Sequence, residues 1–409
     1  MPVSAPGPAP PNRPVYLDNQ ATTRCDPRVL AAMLPWFSED YGNPHSVEHA
    51  MGRRAEAAVE AARAEVAALL GAGTNEVVFT SGATEANNIA IKGAARHAAA
   101  YLAAGETTPR RRIVTVATEH KCVLQSVADL AQEGFEPVFL AVGADGLLDP
   151  EALRAALAEP TLLVSVMAAN NETGVLQDIP ALAAIAKQAG ALFHTDLAQA
   201  AGKIPLALDA WRVDLASVSG HKMYGPKGVG ALYVRRRPRV RIAPLFSGGG
   251  QERGLRSGTL PTPLIVGFGT ACRLAQAEMA EETARVAALR ARLLDRLRAA
   301  LPGLVVNGSM TARLAGNLNL TFPAAAARAI MEGAPELCVS TGSACSSAEV
   351  EPSYVLRAMG IGDPAAGRSL RLSVGRFTSA AEIDYAAAAL AAAHDRAAAD
   401  VHRPAAAPA

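Results

Sequence analysis

The chain has 409 residues, half of them hydrophobic and 19% charged, a globular composition long enough to bury two cores. A formal net charge of +1 excludes the basic footprint of a nucleic-acid-binding protein and the acidity of a solvating chain. No apolar run reaches the ~18 residues needed to span a bilayer, and the five cysteines form no C-x-x-C pair, which excludes a disulfide framework or a zinc site and fits a reducing cytosol.

In chain order, residues 1–14 are rich in Pro and Ala with no apolar core, so they read as a disordered tail and not as a secretory signal. Val15-Tyr16-Leu17 is a short strand ending at Asp18, and Asp26-Pro27 opens a helix with a cap followed by proline. An Ala-rich helix is expected over 49–70, stopped by Gly71. Strands then alternate with helices. Strands are expected at 76–80, 113–117, 137–140, 162–167, 191–195 and 214–217, and helices at 83–103, 121–133, 150–158 and 179–189. Short apolar strands alternating with helices predict an α/β fold whose mainly parallel sheet is covered on both faces. The Arg110-Arg111-Arg112 and Arg235-Arg236-Arg237 runs read as solvated strand ends. Near Pro261 the pattern changes to a long amphipathic helix over 263–301, with Leu289, Leu293, Leu294 and Leu297 on one stripe. Short strands near 305, 318–321, 337–339 and 370–373 follow, with helices at 352–359 and 380–394. The expected organisation is a large domain over 15–262, a smaller α+β domain over 263–397, and an Ala/Pro tail over 398–409.

Several strand ends carry residues suited to chemistry. Lys222 follows the apolar run Val213 to Val218, in Ser219-Gly220-His221-Lys222, where α/β enzymes place reacting groups. Thr80-Ser81-Gly82-Ala83-Thr84-Glu85 joins a strand to a helix, and two readings fit it: an anion site at a helix N-terminus, or an ordinary cap. Asp196, in His194-Thr195-Asp196-Leu197-Ala198-Gln199, can pair with a protonated ring nitrogen or cap a turn. His120, after another strand, can stack on a planar cofactor and move protons, or can be structural. Asn170-Asn171-Glu172-Thr173-Gly174 is a turn with a candidate ligand-binding amide. Arg371 stands inside an apolar strand, which suits a bidentate grip on a carboxylate. Cys345 lies in the small-residue loop Ser340-Thr341-Gly342-Ser343-Ala344-Cys345, where a thiol is accessible and reactive. Cys25, Cys122, Cys272 and Cys338 read as packing residues, with Cys122 close to His120.

These segments, with Tyr16-Leu17-Asp18-Asn19-Gln20-Ala21-Thr22-Thr23 and Gly248-Gly249-Gly250-Gln251-Glu252-Arg253-Gly254, resemble the cysteine desulfurases of the class V aminotransferase group, over about 15–395. The Gly-Ser-Ala-Cys loop resembles the subgroup that serves iron–sulfur cluster assembly. The resemblance implies a fold-type I pyridoxal phosphate (PLP) enzyme with a mainly parallel seven-stranded sheet. It implies that Lys222 holds PLP as a Schiff base and moves the Cα proton. His120 would stack on the ring, Asp196 would pair with its nitrogen, and Gln199 would bond its phenolic oxygen. Ala83, Thr84, Ser219 and His221 would hold the phosphate, joined by Thr259 of the other subunit of a homodimer. Asn171 and Arg371 would orient the carboxylate of L-cysteine, and Cys345 would accept its sulfur. The implied products are L-alanine and an enzyme persulfide, whose sulfur passes to a scaffold or other acceptor protein in the cytoplasm.

Overall fold

The computed structural model describes residues 13–103, 110–342 and 352–401, so Cys345 and most of both expected tails lie outside the described residues. Eight strands come first: β1 (Val15–Tyr16), β2 (Val77–Thr80), β3 (Arg112–Val116), β4 (Glu136–Leu140), β5 (Thr161–Ser165), β6 (Leu192–Asp196), β7 (Leu215–Ser219) and β8 (Gly230–Val234). Seven of them form one sheet in the order β2-β8-β7-β6-β5-β3-β4, parallel throughout except that β8 runs against both its neighbours. This is the expected mainly parallel, seven-stranded α/β sheet. Because β2 and β7 are both antiparallel to β8, β2 ends at the same edge as β3, β5, β6 and β7. The loops after β2, β3, β5, β6 and β7, which hold Thr84, His120, Asn171, Asp196 and Lys222, therefore leave the sheet on one side.

The sheet is covered on both faces, as its apolar strands require. All five residues of β7 and of β8 are buried. On one face, Ile89 and Ile91 of the Ala83–Ala103 helix pack with Val78, Leu215 and Leu232. On the other, Val59 and Val66 of the Ala50–Leu70 helix pack with Phe79, Phe193 and Phe268.

The chain then enters the helix Thr262–Ala300, whose two halves serve two cores. Ile265, Phe268 and Cys272 belong to the core under the sheet, whereas Leu289, Leu293, Leu294 and Leu297 belong to a second core. That second core holds β9 (Val305–Val306), β10 (Asn317–Thr321), β11 (Leu337–Cys338) and β12 (Ser369–Ser373). Strands β12-β10-β9 make an antiparallel sheet. Strand β1 pairs in parallel with β11, Val15 opposite Leu337, and Val15 and Leu17 pack into this second core. The N-terminal strand thus joins chain more than three hundred residues away, and the strap that follows it runs back to the large sheet.

Some expectations needed correction. Arg235 is no solvated strand end: it is 5% exposed, and its guanidinium donates to the carbonyls of Val213, Leu208 and Asp209, groups that no strand partner satisfies. Arg110 likewise donates to the Thr161 and Ala189 carbonyls. Cys272 is buried as a packing residue should be, but Cys25 and Cys338 are half-buried. The alanine-rich stretch after Pro323 contains a further helix, Ala327–Gly333, as alanine's helix preference favours.

The Gly248 to Gly254 motif is anchored through one buried ion pair. Arg63 donates with both terminal nitrogens to Glu252, each at 2.8 Å, and Glu252 also accepts the Phe79 amide at 2.6 Å. The two side chains are 4% and 2% exposed. Glu252 and Arg253 both take positive φ, 49° and 58°, a conformation this anchor has to hold. Replacing Arg63 with Met leaves the Glu252 charge buried and unpaired, so Arg63→Met should lose about 3–5 kcal/mol. Denaturant unfolding checks this, and an unchanged midpoint contradicts it.

Candidate active site

The loops leaving the common sheet edge enclose a cleft of 490 Å³. Its floor is the turn after β7, where Ser219 ends the strand and Gly220–Lys222 forms one turn of 3-10 helix. The Lys222 ammonium donates to the main-chain carbonyls of Gln20 (2.5 Å) and Ala21 (2.8 Å). Both acceptors lie in the strap after β1, which also bonds the lysine turn through the Thr23 amide to the His221 carbonyl at 2.9 Å. Burial, reinforced by the positive charge of Arg371, pulls the Lys222 pKa down to about 8, with Asp196 and Asp18 opposing. His221 lines the same cleft, with Nδ1 3.1 Å from the Thr22 hydroxyl, and burial beside Lys222 lowers its pKa to about 4.

On one side lies the start of the Ala83–Ala103 helix. Gly82 takes φ +149°, open to glycine and strained for other residues, and a Cβ on Gly230 behind it would stand 2.7 Å from Gly82 Cα. The two glycines let the loop sit flat against β8, so that Gly82, Ala83, Thr84 and Ser219 share one wall. Thr84 is not the helix cap. The two amides just before the helix are met by Glu85, which accepts from Ser81 at 2.6 Å, and by the Thr80 hydroxyl, which accepts from Gly82 at 3.3 Å. The side chain of Thr84 lines the cleft and bonds Cys122.

Asp196, the last residue of β6, is 5% exposed and accepts at both oxygens, from the Ala198 amide (2.8 Å) and from Asn87 Nδ2 (2.7 Å). It therefore caps a turn with one oxygen and faces the cleft as well. Gln199 donates from Nε2 to the Gln20 carbonyl at 2.8 Å. His120 caps the helix Lys121–Asp129: its Nδ1 accepts the Cys122 amide at 3.2 Å. A backbone N–H can only donate, so the neutral ring carries its proton on Nε2. Desolvation lowers the His120 pKa, with Asp196 pulling the other way. Cys122 lines the cleft too, as its nearness to His120 suggested.

The far wall comes from the second core. Arg371 of β12 donates to the Asn171 carbonyl and to Asp18 Oδ1, both at 2.7 Å, and its Nε is buried without a partner. Asn171 Oδ1 is likewise orphaned. Two unpartnered polar groups in one wall suit a polar ligand. Thr259 alone among the described candidates is apart from this cleft, and it is exposed.

Sequence reasoning did not single out Asn87, Glu172 or Tyr354. Asn87 is one of several polar residues in an alanine-rich helix. Glu172 and Tyr354 acquire their place only through tertiary packing: Glu172 accepts the Ser353 hydroxyl at 2.5 Å, and Tyr354 donates to the Glu119 carbonyl at 2.7 Å. The strap carbonyls of Gln20 and Ala21 have no side-chain signature at all.

The sequence model of the Aminotransferase class-V family matches residues 15–386. The chain belongs to this family. It is 50% identical to the protein named cysteine desulfurase IscS of Rickettsia felis, over 92% of this chain and 90% of that one. Among solved structures, a NifS-like protein superposes with a TM-score of 0.84 at 36% identity, covering 94% of this chain and 99% of that one. DndA from Streptomyces lividans gives 0.74 at 41% identity, covering 86% and 97%.

The lowered pKa makes Lys222 a nucleophilic amine near neutrality. In the cofactor-free chain, the amine should react with an amine-directed label half-maximally near pH 8, rising with pH, whereas ordinary lysines follow their usual value of 10.5. Peptide mass spectrometry across pH reads this, and a Lys222 that tracks the surface lysines contradicts it.

Proposed function

We infer that the chain is a PLP-dependent cysteine desulfurase, which converts L-cysteine to L-alanine and leaves the sulfur on Cys345 as a persulfide. The observation that carries this reading is the convergence of Lys222, Asp196, His120, Gln199, Asn171 and Arg371 on one cleft, in a chain half identical to proteins named cysteine desulfurase.

The cleft fits the cofactor. Small residues and free amides at the Gly82–Thr84 wall, with Ser219 and His221, would hold a phosphate. Asp196 would pair with the ring nitrogen, Gln199 would bond the phenolic oxygen and His120 would lie against the ring. Bound at Lys222, PLP supplies an electron-poor ring that takes up the electron pair left when Cα loses its proton.

The chain's own residues do the rest. Asn171 and Arg371 would orient the substrate carboxylate, Arg371 through its unpartnered Nε–H and Asn171 through its Nδ2 amide, since its orphaned Oδ1 can only accept. Lys222, near neutrality at its lowered pKa, would take the proton from Cα. The Cys345 thiolate would attack the substrate sulfur. A sulfur–sulfur bond forms, the carbon–sulfur bond breaks, its electron pair stays with carbon, and a proton delivered there completes alanine. Cys345 is three residues beyond Gly342, which lines the cleft. The persulfide sulfur then passes to an acceptor protein for iron–sulfur cluster assembly, in a reducing cytoplasm that suits four unpaired described cysteines.

The working unit on this reading is a homodimer. Thr259 is exposed, which suits a reach to the phosphate of a second subunit, and Leu34, Phe37, Tyr41 and Phe246 are each more than half exposed, at 56%, 57%, 67% and 51%. We also read 15–262 as the large cofactor-holding domain and 263–397 as the small one, with β1 lending its side chains to the small core.

The direct test is Cys345→Ser. It should bind PLP as the wild type does and release no alanine from L-cysteine, assayed by amino-acid analysis. Normal alanine release removes Cys345 from the reaction.

A further inference from the structure

At the strand ends of β3 and β6 two carboxyl groups are buried where the chemistry above uses one; a third buried carboxyl, Glu172, lines the opposite wall of the cleft and is held by Ser353. Glu119, after β3, is fully buried, and Asp196 is 5% exposed. The chain leaving β5 runs between them. The Met167 amide donates to Glu119 Oε1, and the next amide, Ala168, donates to the Asp196 main-chain carbonyl at 3.0 Å.

Their hydrogen-bond partners are unequal. Asp196 holds a donor on each oxygen, Ala198 N on Oδ1 and Asn87 Nδ2 on Oδ2. Glu119 has the one amide, and its Oε2 is buried with no partner. A carboxylate with two donors recovers much of its lost hydration, whereas an oxygen with none does not. Environments this unequal push two neighbouring carboxyls toward opposite protonation states. Burial, and then the charge of Asp196, drive the Glu119 pKa well above the ordinary range in agreement.

We propose that Glu119 keeps its proton, so that no second charge stands beside Asp196, and that Asn87 is the positioning residue that makes the difference between them. Asn87 is fully buried on the Ala83–Ala103 helix, and its nitrogen also donates to Cys122 Sγ at 3.2 Å. Cys122 Sγ in turn lies 3.0 Å from His120 Nδ1. One amide nitrogen thus braces the aspartate and the thiol that touches the histidine. A flipped amide would set its oxygen against the carboxylate, so the orientation is chemically determined. For the reading of the cleft as a PLP site, on which the consequence rests, this means the ring nitrogen meets Asp196 with no charged Glu119 behind it.

Infrared spectroscopy of the full-length, PLP-loaded chain tests it at about pH 8, where ordinary carboxyls are ionised. The wild type should show the C=O stretch of an un-ionised carboxyl that moves in D2O, survives in Glu172→Gln, the control for the other buried glutamate, and is lost in Glu119→Gln. That variant, neutral and of the same shape, should keep its PLP dissociation constant within about twofold. Asn87→Leu, which removes the donor on Asp196 Oδ2, should weaken PLP binding about tenfold, as loss of a hydrogen bond to a charged group does. A wild type without the band, or a spectrum that Glu119→Gln leaves unchanged, overturns the placement of the proton. Unchanged PLP affinity in Asn87→Leu overturns the part given to Asn87. Should Glu119→Gln fail to fold, carboxyl-13C glutamate NMR of the wild type decides instead, since the absence of a glutamic acid still protonated at about pH 8 overturns the proposal. A chain that shows the band but takes up no PLP refutes the proposed function while leaving the proton on Glu119.

Discussion

The hydrogen bonds from Lys222 to the carbonyls of Gln20 and Ala21 are the contact on which the rest depends. They join the strap after β1 to the turn after β7, and the strap is itself fastened to the second core. Upstream, β1 pairs with β11, and Asp18 holds the guanidinium of Arg371. Downstream, Asp26 accepts from Arg376 at 2.9 Å, and Arg376 also reaches Glu282 of the long helix at 2.7 Å. One short segment thus sets the distance between the lysine of one core and the arginine of the other. The helix Thr262–Ala300, packed into both cores, stiffens the same relationship from behind.

Within that frame the cleft separates charges by partner and depth. Lys222 is desolvated and lowered toward neutrality, His221 and His120 are pushed toward their neutral forms, and Asp196 is braced by two donors. The outcome is a site with a usable base and a supported anion at neighbouring strand ends. A parallel sheet delivers such a set readily, because successive strands end at one edge.

The sequence carried much of this. Short apolar strands alternating with helices were enough for the α/β sheet, since a strand buried on both faces leaves a continuous apolar run. The strand-end position of Lys222, Asp196 and His120 was legible for the same reason, and small residues marked the Thr80 to Glu85 turn. What stayed hidden depends on contacts distant in the chain. Arg235 looks like its exposed neighbours and differs only in the carbonyls it meets. Asn87 carries no motif, and its importance comes from facing Asp196 across 109 positions. The pairing of β1 with β11 rests on two residues a side, too short for any pattern to announce.

The central claim is that Lys222 is the point at which this chain holds its cofactor. Borohydride reduction of the PLP-loaded protein, followed by peptide mass mapping, tests it most directly. The account predicts the cofactor's mass on the peptide bearing Lys222 and on no other. Cofactor mass on the neighbouring Lys203 or Lys227, or on no lysine, would contradict it.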